Sequence, residues 1–130
     1  MTLVLTKKHY NSYVFDIYAL IEIIRGNKNY LPYTNSRIII TSFILAELCY
    51  SSIRLYGIKK AYEYVDKYSR FVEKIDKEIV KEAMNFRYIN VKKDMSIADC
   101  IGYILAKKLN IKFLTGDKEF ENLPNVEFVK

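Results

Sequence analysis

The chain has no tryptophan, no glutamine and a single histidine, His9. The first two gaps, set beside an abundance of Ile, Lys, Asn and Tyr, fit either a thermophilic source or a nucleotide-biased genome, and composition does not separate the two. His9 falls within the first twelve residues, a leader longer than the rest of the chain requires, and reads as a surface residue. Only two cysteines occur, Cys49 and Cys100, both among apolar residues at helical spacing. That setting describes small buried thiols better than a disulfide or a metal pair. No stretch approaches the roughly 20 uninterrupted apolar residues that a membrane span requires, and the N-terminus shows neither a signal-peptide hydrophobic region nor a cleavage site. A soluble, cytoplasmic protein without a membrane partner is expected. Repeats, low-complexity tracts and linkers are missing as well, and 130 residues suffice for one core but not for two comfortable ones. The expectation is a single domain over residues 1–130.

What the chain does have is a slight majority of apolar residues (51%) and a formal charge of +6, with a pI near 9.2. The charge favours polyanionic partners without specifying one. Along the sequence, strand-type and helix-type segments alternate. Tyr13-Val14-Phe15 favours a strand, and Ala19, Leu20, Ile23 and Ile24 follow at helical spacing until Gly26. Residues 37–41 form a second, continuous apolar strand, after which Ser42 is placed to cap a helix over about 43–55. Two helical stretches, 58–70 and 77–88, flank residues 71–75, which read as a short strand or an extended link. Ser96 opens a further helix, residues 111–115 return as a strand, and 126–129 fit a last one. This alternation predicts an α/β fold with a mostly parallel sheet covered by helices on both faces.

Four acids stand out against this pattern: Asp16 and Asp117, each just after a predicted strand; Asp99, in the first turn of a helix; and Glu47, one turn into another. Ligands gather beyond the carboxyl ends of parallel strands, so all four can face one crevice. Such a carboxylate cluster would hold a hard divalent cation, for which oxygen ligands suit better than His or Cys. Taken singly, Asp16, Asp99 and Asp117 each also read as helix caps, Asp99 in a capping box with Ser96. Glu47, amid Ile44, Leu45, Ala46 and Leu48, would carry a large desolvation cost without a cation or a partner, and Arg54 is one possible partner. Crowding of the carboxylates is expected to raise at least one pKa.

Val14-Phe15-Asp16 before a helix, Ala46-Glu47-Leu48 inside the second, Ser96-Ile97-Ala98-Asp99 opening a later one, and Leu114-Thr115-Gly116-Asp117-Lys118-Glu119-Phe120 near the end together resemble the motifs of PIN-domain nucleases. The similarity is greatest to the compact VapC-like toxins of toxin–antitoxin pairs, and it spans nearly the whole chain. It implies a three-layer α/β/α fold in which Asp16, Glu47, Asp99 and Asp117 hold Mg²⁺ or Mn²⁺ and cut RNA. It further implies that the Thr115 hydroxyl holds Asp16, that an antitoxin protein is a partner, and that the chain forms a homodimer. Three residues depart from the family pattern: Ile17 and Tyr18 stand where a small hydroxyl or amide residue is usual, and Gly116 where Asn is common, a change expected to ease a tight turn.

Among the basic residues open to phosphate contact (Arg25, Lys28, Arg37, Lys59, Lys60, Lys107, Lys108 and Lys118), Arg25 and Lys118 are expected to border the crevice. Tyr50, Tyr62, Tyr64, Tyr68 and Tyr103 lie on helices, where packing outweighs base stacking, and residues 56–68 could form a subunit contact. Two rival readings remain. A receiver-type signalling domain needs an Asp after a central strand, and residues 48–62 contain none; a catalytically silent PIN-like binding module would keep this fold, against which stands the retention of all four acids.

Overall fold

The computed structural model describes residues 11–130; His9 and most of the leader lie outside them. Four strands, β1 (Ser12–Phe15), β2 (Arg37–Ile39), β3 (Lys112–Thr115) and β4 (Val126–Phe128), form one sheet in the order β2-β1-β3-β4, with every neighbouring pair parallel. Among the described residues five α-helices accompany them: α1 (Ile17–Arg25), α2 (Ser42–Tyr56), α3 (Ile58–Tyr68), α4 (Lys77–Ile89) and α5 (Ile97–Lys108). Successive residues of a strand point to opposite faces. Val14 and Phe15 on β1, and Phe113 and Leu114 on β3, are all fully buried, so both faces of the central strands are covered. This is the three-layer α/β/α arrangement expected from the alternating pattern.

One contiguous apolar core joins the sheet to the helices, running from Val14, Phe15 and Leu20 through Ile44 and Leu48 to Ile101, Leu105 and Phe113. Helix α5 reaches the sheet closely because it carries Gly102 there. A Cβ at that position would come within 2.9 Å of the Phe113 ring and 3.1 Å of Ile44 Cδ1, tighter than packed side chains tolerate. This seat fixes the start of α5, and with it Asp99, relative to β1 and β3.

Several boundaries differ from expectation for identifiable reasons. The cap of α2 is Thr41, whose hydroxyl accepts from Ile44 N at 3.1 Å, and Ser42 is already helical. Accordingly β2 ends at Ile39, and Ile40 makes a single parallel bridge to Val72, donating to Phe71 O at 3.0 Å and accepting from Glu73 N at 2.8 Å. The ambiguous 71–75 segment is thus an extended link that touches the sheet edge through one residue. Cys100 is buried and Cys49 half-buried, both as free thiols; burial pushes the Cys100 thiol up to about 11. Tyr68 and Tyr103 pack in the core as expected, but Tyr50 and Tyr62 stay largely exposed. None of the described helices is long and apolar enough to cross a membrane.

Candidate acidic cleft

Because β1 and β3 are adjacent and parallel, the residues that follow them emerge side by side. Phe15 lies in register with Leu114, and Asp16 N donates to Leu114 O at 3.2 Å. The two acids are coupled through one hydroxyl: Thr115 Oγ1 donates to Asp16 Oδ2 at 2.5 Å and accepts from Asp117 N at 3.0 Å.

Each aspartate also caps the segment it introduces. Asp16 Oδ1 accepts from Ala19 N at 2.9 Å at the start of α1. Asp117 Oδ1 accepts from Glu119 N at 3.0 Å at the turn Lys118–Phe120. Asp99 closes a reciprocal capping box, its Oδ2 accepting from Ser96 N while its own N–H donates to Ser96 Oγ, both at 3.0 Å. Capping engages one oxygen per carboxylate, and Asp99 Oδ1 and Asp117 Oδ2 accept no hydrogen bond among the described residues. Capping and convergence are therefore compatible.

Asp16, Glu47, Asp99 and Asp117 line a single open cleft of ≈ 630 Å³. Asp16 (1% exposed) and Asp99 (7%) are buried at its base, whereas Glu47 is half-buried and faces the opening. The severe desolvation anticipated for Glu47 thus falls on the two aspartates. Arg54 makes no ion pair with Glu47; it lies over the Tyr50 ring, 5.8 Å from its centroid.

Burial is the largest cause of the perturbed titration here. It pushes the Asp16 carboxyl well above the usual range, against the Thr115 and Ala19 hydrogen bonds, with the Asp99 and Asp117 charges adding to the rise. It brings Asp99 up to about 6, opposed by the Ser96 bonds and reinforced by Glu47 and Asp117. Mutual repulsion contributes, but as the smaller cause.

Among the described residues no three His, Cys, Asp or Glu side chains form a ready-made metal-ligand group. The lining donors are nonetheless mostly carboxylate oxygens, with the Ser96 and Tyr18 side chains beside them, and Asp99 Oδ1 and Asp117 Oδ2 are among those without a protein donor, around a space with room for water. That donor set fits a hard cation that keeps part of its hydration shell and takes one or two direct carboxylates, which is how Mg²⁺ is usually bound.

Of the two cations expected at the rim, Arg25 lines the cleft, though Glu22 holds it at 3.5 Å. Lys118 is exposed and is not among the lining residues, because the short turn after Asp117 carries it outward. In its place stands Arg87, from the last turn of α4, its Nε donating to Met95 O at 3.0 Å. Nothing in the local sequence flags Arg87; packing of α4 against α5 puts it there. Tyr18 lines the cleft too, and it explains Gly116, whose φ is not positive. A Cβ at Gly116 would overlap the Tyr18 ring and the Val129 carbonyl oxygen, so the glycine makes space and the turn does not require it.

A parallel four-stranded sheet with helices on both faces and an acidic cleft beyond its carboxyl edge defines a three-layer α/β protein with a carboxylate-lined site. The chain belongs to the PIN domain family, which it matches over residues 13–126. Comparison by sequence with curated proteins gives no match. In structure it is similar to a chain of a toxin–antitoxin complex from Klebsiella pneumoniae (TM-score 0.66, 18% identity, 88% of this chain and 95% of the other). VapBC2 from Rickettsia felis bound to a promoter DNA fragment is similar too (0.66, 18%, 92% and 99%), as is DNA-bound VapBC from Salmonella typhimurium (0.68, 18%, 91% and 96%).

Proposed function

We propose that this chain is a divalent-metal-dependent endoribonuclease, acting as one PIN domain and serving as the toxin of a toxin–antitoxin pair. The observation that carries the reading is the convergence of Asp16, Glu47, Asp99 and Asp117 on one cleft, two of them buried with raised pKa values. Carboxyls kept this far from water without a cationic partner are poised to exchange protons for a cation. Mg²⁺ or Mn²⁺, when bound, supplies a water of lowered pKa and shields charge on the phosphate.

The residues have distinct parts. Asp99 and Asp117 offer the oxygens left open by their caps, Asp16 is locked in place by Thr115 and the α1 amide, and Glu47 at the opening orients a water or contributes a further oxygen. Arg25 and Arg87 flank the substrate phosphates at the rim. The basic net charge supports a polyanionic substrate, and the complexes formed by structurally similar proteins support an antitoxin as partner. Exposed Tyr56, Ile58 and Tyr62 at the α2–α3 corner support a homodimer through that surface.

The test is cleavage of single-stranded RNA with and without Mn²⁺, using Asp99→Asn as control. Asparagine keeps the shape and the capping ability of Asp99 while removing its charge, so activity should fall by at least roughly a hundredfold, as when catalytic groups are removed, with folding retained. Millimolar Mn²⁺ should raise the melting temperature of the parent and leave that of the variant nearly unchanged. A parent that binds RNA but does not cut it under any metal condition would instead establish the silent PIN-like binding module.

A further inference from the structure

The acidic cleft does not end at Met95. A second hollow of ≈ 370 Å³ adjoins it, and Arg87, Asp94 and Met95 line both. Met84, half-buried, and the exposed Val91 add apolar surface to this hollow, and Tyr88 stands beside it 78% exposed. A tyrosine so far out of the core contributes little to folding and presents a bare aromatic face.

The charges in the hollow are arranged unusually. Arg87 Nε is held by Met95 O at 3.0 Å, and Lys93 Nζ by Glu119 O at 3.1 Å. Both partners are neutral carbonyls, and neither cation is in an ion pair among the described residues, whereas Arg25, Lys81, Lys108 and Lys112 all are. Two pinned cations outside any ion pair thus face the hollow, together with Asp94 from its lining and the Glu119 carboxylate, which accepts from Asp94 N at 3.1 Å. The orientation of the cations is fixed before an anion arrives, so less freedom is lost on binding.

We infer that single-stranded RNA leaving the carboxylate cleft runs into this hollow, where one base stacks on Tyr88 and the adjoining phosphates meet Arg87 and Lys93. The inference rests on the ribonuclease reading and extends it by naming where the substrate is gripped beyond the cut. Three features on the same few residues favour this occupant: continuity with the cleft, positive charge held in place, and an exposed aromatic ring. Unpaired nucleic acid combines a backbone charge with a stackable π-face. Duplex RNA buries its bases and cannot use Tyr88 in this way.

The experiment measures binding of a labelled single-stranded RNA of about 12 nucleotides, a length within the usual span of such sites. It uses the Asp99→Asn protein in Mn²⁺, alone and with Tyr88→Ala or Tyr88→Phe added; kcat and KM for cleavage are measured with the same Tyr88 changes in the otherwise unaltered chain. Tyr88→Ala should raise Kd and KM roughly tenfold, the size of a stacking contact, while kcat and the melting temperature stay at the parent values. Tyr88→Phe should restore both constants, and binding of a duplex of the same sequence should not depend on Tyr88. Equal Kd and KM for parent and Tyr88→Ala, in a protein that cleaves RNA, would overturn this subsite alone. A parent that neither binds nor cleaves RNA would overturn the ribonuclease reading and the subsite with it. Unchanged RNA binding accompanied by a change in oligomeric state on Tyr88→Ala would overturn the subsite in favour of a protein contact.

Discussion

Asp99 titrates near 6 in the folded chain against 3.8 for the free side chain, so the folded state holds its proton more tightly than the unfolded state does. A raised acid pKa adds stability at low pH and loses it as pH rises through the folded value. In the absence of metal, this one carboxyl should therefore cost the protein up to about 3 kcal/mol between about pH 4 and pH 7. Urea titrations in EDTA at several pH values check this: Asp99→Asn should lack that component and be the more stable of the two at neutral pH. Identical pH slopes for parent and variant would show that the burial of Asp99 carries no such penalty. All four acids were legible in the sequence, because each lay beside an apolar run in a regular alternation of elements. Their depth was not. Glu47, surrounded by apolar neighbours in sequence, turned out half-exposed, since a helix shows only part of its circumference to the core. Lys118 lies outside the cleft lining for a related reason: adjacency to Asp117 says nothing of direction once a tight turn intervenes.

At the scale of elements, short apolar runs and the period-3.6 pattern located the four strands and five α-helices of the described residues but not the 3₁₀ segment Lys28–Asn35, and the other differences fell at element ends. Thr41 replaced Ser42 as the α2 cap because both are competent hydroxyl residues and the sheet edge, with its single Ile40–Val72 bridge, decided where the helix could begin. The junction of α1 with the turn after β3 is a pairing that no local pattern reveals. There the Tyr18 ring and the Val129 carbonyl fill the volume that any side chain at position 116 would need. Gly116→Ala should therefore destabilise the fold by about 2 kcal/mol, within the usual range for overpacking, as read from denaturant midpoints. Adding Tyr18→Ala should recover only part of the loss, because the backbone oxygen stays in place. Full tolerance of alanine at 116 would show that the ring and strand yield freely.

For the whole molecule, the fold class and the parallel sheet followed from the order of elements, whereas the surfaces did not, since exposure depends on which helices pack together. The apolar corner at Tyr56, Ile58 and Tyr62 is one such surface. Ile58→Lys with Tyr62→Lys should convert a dimer to a monomer in sedimentation at micromolar concentration without lowering the helical signal; a parent that sediments as a monomer throughout would remove that role from the corner. The acidic cleft has a different bearing on the molecule. Three of the four acids singled out there, Asp16, Asp99 and Asp117, also cap the start of a helix or turn, so most substitutions at them would loosen the scaffold along with the chemistry. A change at any of these three positions therefore carries a double penalty, to the scaffold and to the cleft, and asparagine, which keeps the capping oxygen, is the mildest of them.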